Sequence, residues 1–594
     1  MVTVPNTWGP GQLFAFSGMD GPTRAASPMV AHTLGERIGL RVFFEPAIEI
    51  WCQAIRGEDP GRRYPRCMPA FEIVTGDAIR AEVTFTDGRR SRIALAPLSQ
   101  DVFAGYTNAH LAPRWSVGPS AGQPLESGAY VHRRGDDFAA LVVREQGERV
   151  WFALAHDGTS AQAAIDKAAG AIGADLDAVI DRRKKWYESI EVPTALPVEL
   201  APTYRKAVAI MRVNTYRPEG QIRHRWTTPD RWPHRWMWLH DSAYHAVGHV
   251  YHFPDLAKDM LAAVFDTQEE DGRIALLMRP DGNFPGISQS PILAWAVESA
   301  ARVDRAPQAS CLHVSGPSGG TCAQYDREFL SAVYPKIRAY LEYFRLTRAF
   351  HDTGLYRWLH SDESMDNNPR FDHGSDFGAI DLSSTLCREF EAAAAMADAL
   401  GLADDAAMWC EARQRTADAI NARLWDDASG QYGDLMPDGR LVTLSACVTF
   451  LPLFAGIVPP DRAAKLRSLL TDPRKFWRTV PVATVAADEP TFYPDMWRGP
   501  TWLNMNHLIS LGLEQCGFPS EADEIRRRSI DIVHKWCRHT GCIYEFYDCD
   551  DRIPPFAIDR KSRIAYGGGF TNVSDYHWSA ALFVAMCRKL YGDA

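Results

Sequence analysis

Two acidic residues sit in segments whose composition could turn them to chemistry. The segment HSDESMDNNPRFD, His360 to Asp372, crowds acids into a loop beside the aromatic stretch YRWLH, and Asn367, Asn368 and Pro369 break it. Asp366 stands just before NNPR. In an enclosed, partly apolar pocket a carboxyl's pKa rises, so the group stays protonated near neutral pH and can hand its proton to a leaving oxygen. The alternative is an Asx turn among solvated acids. Glu545 lies between Tyr544 and Phe546 in GCIYEFYDCD. Alternation with apolar neighbours would turn Glu545 alone into a cavity. The alternative is an acid paired within the core.

Two further segments supply aromatic surface. RWMWLHDSAYH carries Trp236, Trp238 and Asp241. Indole faces stack on the apolar faces of sugar rings, and a carboxylate accepts two hydroxyl hydrogen bonds. Asp241 would otherwise cap a helix start. In MWRGPTWLNMNH, Trp497, Arg498 and Trp502 surround the rigid Gly499-Pro500 turn, where the two indoles either wall a pocket or anchor a helix start. Arg370, closing the NNPR turn, joins Arg498 as a candidate substrate contact. Two separated carboxyls and a Trp-lined cleft are the minimum equipment for glycoside hydrolysis: an acid, a base and stacking surfaces.

These loops need a rigid scaffold. Before about residue 195 the chain runs in short alternating segments such as RIGLRVFFEPAIEIW and AEVTFTDGRRSRIALAPL, cut by Gly, Pro and Asp-Gly turns. That is the pattern of an antiparallel sheet or sandwich. The Ala-rich stretch AQAAIDKAAGAIGADLDAVIDRRKKWYESI predicts a bridging helix with a basic end. Three regions are expected: an N-terminal β-sandwich domain over 1–158, a helical linker over 159–195 and a helical domain over 196–594. Apolar spacing in the last predicts helices near 198–215, 238–251, 255–267, 289–304, 326–351, 380–401, 404–425, 444–455, 460–470, 500–516, 519–539 and 574–592. Leu382, Leu386, Phe390 and Ala394 share one face of the sixth. Twelve helices in six hairpins would gather the aromatic, acidic loops at one end of a toroid.

Bulk properties exclude several classes. The chain has 594 residues, 46% apolar and 23% charged, too long for one ordinary core and too apolar for a disordered chain. A formal net charge of −10 without a basic stripe argues against nucleic acid or an anionic membrane as partner. No apolar run reaches the ~18 residues of a membrane helix. The first residues lack a secretory signal, so a cytoplasmic location is expected, and NVS at Asn572 carries no glycosylation meaning. The twelve cysteines are scattered without C-x-x-C pairs and read as reduced thiols. HAVGH places His245 and His249 four apart but lacks the Glu of a zinc protease, which favours packing or substrate contact over metal.

The stretches WMWLHDSAYHAVG, SQSPILAWAVE, ESMDNNPRFD, MWRGPTWLNMNHLI and YEFYD occur in that order across roughly residues 230 to 580. Together they resemble the inverting α-glycosidases of the trehalase-like clan, closest to glycoside hydrolase family 63 and its mannosylglycerate and glucosylglycerate hydrolase-like members. The resemblance implies a mainly α, (α/α)6 six-hairpin catalytic domain, often with an N-terminal β-sandwich. It implies Asp366 as general acid, Glu545 as general base and Asp241 as a sugar-hydroxyl ligand beside Trp236 and Trp238. Gln289 of SQSP matches a substrate contact, and Trp497 and Trp502 match pocket aromatics. Three positions depart from the pattern. Leu239 and His240 are inserted between Trp238 and Asp241, Ser364 stands where a Gly is usual, and Met496 stands where a Tyr is common. CLHVSGPSGGTC, near 311–322, reads as an inserted loop. These departures bear on the substrate more than on the reaction.

The expected reaction is single-displacement hydrolysis of a small α-linked glycoside or oligosaccharide, with glucose at the cleaved position. The chemistry requires no metal or other cofactor. A water must fit between base and substrate, so the two carboxyls should stand ~6.5–9.5 Å apart, against ~5 Å for a retaining pair. One rival is an inverting phosphorylase on the same architecture, with phosphate in place of the base; Glu545 argues against it. The other is a carbohydrate-binding protein, which would need neither Asp366 nor Glu545.

Overall fold

The computed structural model describes residues 137–594 except 231–233, 235, 283–284, 304–323, 373, 562–571 and 593–594. Before residue 137 it describes 7–8, 14–18, 29–33, 40–45, 67–75, 78–85, 87–108, 112–117 and 129–134. The stretch near 311–322 read as an insertion therefore lies outside the described residues.

The alternating segments of the first part pair into two antiparallel sheets. One joins Thr7–Trp8, Phe14–Gly18, Met29–Thr33, Leu40–Glu45 and Ala112–Val117 in that order. The other runs Ala129–Arg134, Asp137–Gln146, Arg149–Asp157, Val102–Asn108, Arg90–Ser99, Ala78–Phe85, Cys67–Thr75. The period of two is plain in Ala78–Phe85, where Ala81, Val83 and Phe85 are buried and Glu82 and Thr84 are exposed.

The expected bridging helix is two helices, α1 (Ala161–Ala171) and α2 (Leu176–Glu188). Gly173, in the left-handed region at φ +82°, breaks the chain between them, and the Asp175 carboxylate accepts from Ala178 N–H to start the second. They lie on the seven-stranded sheet: Ala164, Ala168, Leu176 and Ile180 share a buried cluster with Ala94, Ala104, Tyr106 and Trp151.

Twelve helices follow among the described residues, at the places the apolar spacing predicts. They are α3 (Ala201–Val213), α4 (Leu239–His249), α5 (Pro254–Asp266), α6 (Leu293–Ala301), α7 (Arg327–Thr347), α8 (Ile380–Leu400), α9 (Ala403–Arg423), α10 (Leu451–Phe454), α11 (Pro460–Leu470), α12 (Leu503–Gln515), α13 (Pro519–Thr540) and α14 (His577–Tyr591). Two are shorter than expected. Pro291 keeps Gln289 and Ser290 outside α6, as the residue before a proline avoids the helical region. In 444–455 a 3-10 turn over Cys447–Phe450 leaves one turn for α10.

Helices α4, α6, α8, α10, α12 and α14 each pack on the next, and α14 returns to α4. Their sequences explain the inner position. Every residue of α4 from Asp241 to His249 is buried, so no face is left for solvent. In α13, by contrast, Ala522, Ile525, Ser529 and Ile532 are buried while Arg527, Asp531 and Lys535 are exposed, and it packs outside α12 and α14. The ring closes tightly. A Cβ on Gly248 would lie 2.5 Å from Ala581 Cα, and one on Gly512 2.5 Å from the Phe454 backbone nitrogen. His245 and His249 serve this closure: His245 stacks on His577 with ring centroids 3.6 Å apart, and the Nε2 atoms of His249 and His577 are 2.9 Å apart.

Candidate active site

A cavity of about 350 Å³ opens where the inner helices begin. Trp238 immediately precedes α4 and Asp241 lies in its first turn; Trp502 precedes α12; Tyr576 precedes α14 and Trp578 lies in its first turn. Ser364 and Asp366 come from the loop before α8, Gln289 from that before α6, and Met496 and Trp497 from that before α12. The two carboxyls singled out in the sequence, Asp366 and Glu545, both line this cavity, with Trp238, Asp241, Gln289, Trp497 and Trp502.

The acids of the His360–Asp372 loop differ in what holds them. Glu363 is fully buried against Arg348, 2.5 Å away, and accepts backbone N–H groups from Ser288, Leu359 and His360. Asp372 pairs with Arg498. The Asn residues tie the loop to the Trp497 segment: Asn367 accepts from Trp497 N–H at 2.9 Å, and Asn368 donates to the Trp497 carbonyl at 2.9 Å. Asp366 is thereby aimed at the cavity, where its Oδ2 lies 2.7 Å from Lys561 Nζ. Burial raises its pKa above the usual carboxylate range, and Lys561 opposes that rise.

Glu545 is held by its backbone. Its N–H donates to the Val573 carbonyl at 3.0 Å, its carbonyl accepts from Ser579 Oγ at 3.1 Å, and the next carbonyl, of Phe546, accepts from Asn572 at 2.6 Å. The buried side chain accepts two bonds from Arg560, at 2.9 and 3.3 Å. Asp241 accepts from Tyr576 Oη at 3.1 Å. Burial pushes its pKa up to about 8, against the Tyr576 hydrogen bond and with help from the charge on Glu545. His240, by burial alone, is lowered to about 4 and stays neutral at pH 7.

The aromatic wall is built of stacked rings. Trp497 and Trp502 lie 3.6 Å apart at 8°, and Trp502 stacks in turn on Phe546 at 4.8 Å. The Trp502 indole N–H donates to the Met496 carbonyl. The Nε1 atoms of Trp238 and Trp578 are buried with no hydrogen-bond partner, two donors on the cavity lining. Gln289 accepts from His240 N–H at 3.0 Å, so the inserted His240 is fixed against a neighbouring lining residue.

Three expected substrate contacts are engaged away from the lining. Arg370 is buried between Asp434, at 2.7 Å, and Asp381, at 3.0 Å, a pairing that raises its already high pKa against the cost of burial. Arg498 is taken by Asp372. Trp236 has the Arg279 guanidinium 5.2 Å over its ring.

Sequence reasoning missed His234, Arg560, Lys561, Tyr576 and Trp578, all of which line the cavity. Tyr576 and Trp578 lie in DYHW before α14, an aromatic cluster of the kind that marked the other loops. Arg560 and Lys561 carry no such signal, because a basic pair in a loop reads as solvated surface.

The chain matches the model of the mannosylglycerate hydrolase MGH1-like glycoside hydrolase domain over residues 233–554. A mannosylglycerate hydrolase of Rubrobacter radiotolerans is 25% identical over 393 residues, which cover 54% of this chain and 86% of that one. A probable mannosyl-oligosaccharide glucosidase of Schizosaccharomyces pombe is 24% identical over 256 residues, covering 37% of this chain and 32% of that one. A bacterial glucoamylase solved with acarbose shares the fold at TM-score 0.61 and 10% identity, over 99% of this chain and 94% of that one. The chain thus belongs to the MGH1-like glycoside hydrolase family and is a hydrolase of glycosidic bonds.

Proposed function

We propose that the protein is an inverting, exo-acting α-glycosidase that removes a terminal sugar, with glucose as the first candidate, from a small α-linked glycoside. In this reading residues 196–594 form an (α/α)6 six-hairpin toroid, residues 1–158 a β-sandwich domain, and 159–195 the helical connection. Asp366 protonates the glycosidic oxygen. Glu545 removes a proton from a water that attacks the anomeric carbon from the opposite face. Asp241, Gln289 and the indole N–H groups of Trp238 and Trp578 bind sugar hydroxyls, and Trp497 with Trp502 supplies the apolar wall.

The observation that carries this reading is the meeting of Asp366 and Glu545 on one Trp-lined cavity, each against its own cation. Burial raises the pKa of Asp366, as an acid needs, and Arg560 holds the Glu545 carboxyl at the same cavity with two hydrogen bonds. The cavity's size and enclosure by aromatic rings favour a small substrate over a polymer chain. A phosphorylase would need only one of these carboxyls.

The test is proton NMR of the purified protein in the first minutes of reaction with trehalose, kojibiose, nigerose, maltose, glucosylglycerate and mannosylglycerate. Appearance of the β-anomer of the free sugar before mutarotation is expected. The α-anomer appearing first would make one carboxyl a nucleophile. Turnover only with added phosphate would move the protein to the phosphorylases.

A further inference from the structure

On the cavity Asp366 and Glu545 are each paired to a cation, and the two cations are consecutive in the chain. Arg560 makes the bidentate contact to Glu545, at 2.9 and 3.3 Å. Lys561 reaches Asp366 at 2.7 Å and the neighbouring Asp362 at 3.4 Å. The dipeptide can point its side chains to two places because its backbone is fixed. Lys561 sits in the left-handed region at φ +55°, and its N–H donates to the buried Asp495 at 2.7 Å. Such a conformation in a lysine costs energy and persists only where surrounding contacts hold it. Arg560 is braced from the far side by His234, whose Nε2 lies 2.9 Å from its guanidinium and whose Nδ1 lies 2.6 Å from Asp230. A guanidinium only donates, so His234 Nε2 accepts and Nδ1–H donates to Asp230.

We infer that Arg560 and Lys561 form a two-cation strap that sets the proton states of the catalytic pair separately, Lys561 acting on Asp366 and Arg560 on Glu545. The inference rests on the acid and base roles proposed above. The charge changes of the reaction match the strap. When Asp366 gives its proton to the glycosidic oxygen, a negative charge appears beside the Lys561 ammonium, which is already in place to receive it. When Glu545 takes a proton from water, its charge disappears beside Arg560. Lys561 therefore favours the state Asp366 reaches after proton transfer, and Arg560 favours the state Glu545 holds before it. Both are positioning residues.

Other charges face the pair. Asp362 and Arg560 act on Asp366 besides Lys561, and Asp241 and Tyr576 lie with Arg560 near Glu545. Only the strap contacts each carboxyl as an ion pair among the described residues. Removing either cation should move the limb of the pH profile that belongs to its own partner. In kcat/KM the alkaline limb reports the acid and the acidic limb the base of the free enzyme. An adjacent cation lowers a carboxyl's pKa by about one to three pH units.

The experiment is kcat/KM against pH for the full chain and for Lys561→Met and Arg560→Met, using the substrate found by NMR. Lys561→Met is expected to shift the alkaline limb upward by about one to three units and leave the acidic limb in place, widening the profile. Arg560→Met is expected to shift the acidic limb upward by about one to three units and the alkaline limb by clearly less, narrowing it. Lys561→Arg and Arg560→Lys should return each limb. Lys561→Gln and Arg560→Gln carry the same expectations if a Met variant does not fold. Both limbs unmoved, or both limbs moving equally in either variant, would overturn the strap. Near-normal turnover in Asp366→Asn or Glu545→Gln would instead overturn the acid and base assignment, so the two failures are read apart.

Discussion

At the residue scale, one loop holds acids of different kinds, and their partners separate them. Glu363 is a structural acid: fully buried, paired with Arg348 and bonded to three backbone N–H groups. Asp366 keeps an oxygen toward a cavity that also holds Glu545. Proton transfer by a positioned side chain contributes about 10²–10⁴-fold, so Asp366→Asn and Glu545→Gln should each lower kcat by at least about 100-fold. A stopped or continuous sugar-release assay checks this, and an effect on KM alone would remove the residue from the chemistry. Trp578 offers a finer test. Its indole N–H is buried without a protein partner on the cavity lining, so Trp578→Phe removes a donor available to a sugar hydroxyl. A hydrogen bond of ordinary net strength is worth about 0.5–1.5 kcal/mol, which corresponds to a fall in kcat/KM of about 2- to 10-fold. Unchanged kcat/KM would mean that this N–H does not meet the sugar.

At the element scale, periodicity carried most of the fold and left the loops' reach open. Leu382, Leu386, Phe390 and Ala394 are all buried in α8, as their common face required. Helices with a polar face, such as α13, lie outside and helices without one, such as α4, lie inside. The catalytic candidates were legible because Asp366 and Glu545 sit in loops too aromatic for plain connectors. Arg370 and Arg498 stand beside site motifs and so look like substrate contacts, while the carboxylates that hold them, Asp381, Asp434 and Asp372, carry no mark of that pairing in the sequence. Arg560 and Lys561 were invisible for the converse reason: their partners are the site itself. The packing of α4 on α14 gives a sharp prediction. Replacing a mid-helix Gly by Ala ordinarily stabilises by about 0.8–1 kcal/mol through backbone entropy. At Gly248 the added Cβ would lie 2.5 Å from Ala581 Cα, a contact that only a backbone shift relieves. Overpacking of this kind costs about 1–3 kcal/mol, so Gly248→Ala should lower the melting temperature. A rise would show that α4 and α14 can part without cost.

At the scale of the whole molecule, the sheet and the helices share a core. One face of the seven-stranded sheet is covered by α1 and α2. Residues of its other face, among them Ile79, Leu95, Phe103 and Leu154, belong to the same continuous buried cluster as Leu196, Leu200 and Tyr204 at the entrance to the helical part. Arg217, just after α3, pairs at 2.6 Å with Asp101 on the turn between two strands, and His156 is within 3.8 Å of the same carboxylate. Interfaces between independently moving domains are more polar than a domain core, and a continuous apolar cluster couples unfolding across a boundary. Heating should therefore give one calorimetric transition, with the far-ultraviolet signal of the helices and the tryptophan fluorescence of the cavity lost together. Arg217→Ala removes an ion pair at the junction without touching the apolar contact, so it should shift that transition by no more than about 1 kcal/mol and leave it undivided. Two resolved transitions in the unaltered protein would mean that the shared cluster does not couple the two parts, and that the helical ring holds its cavity without help from the sheet.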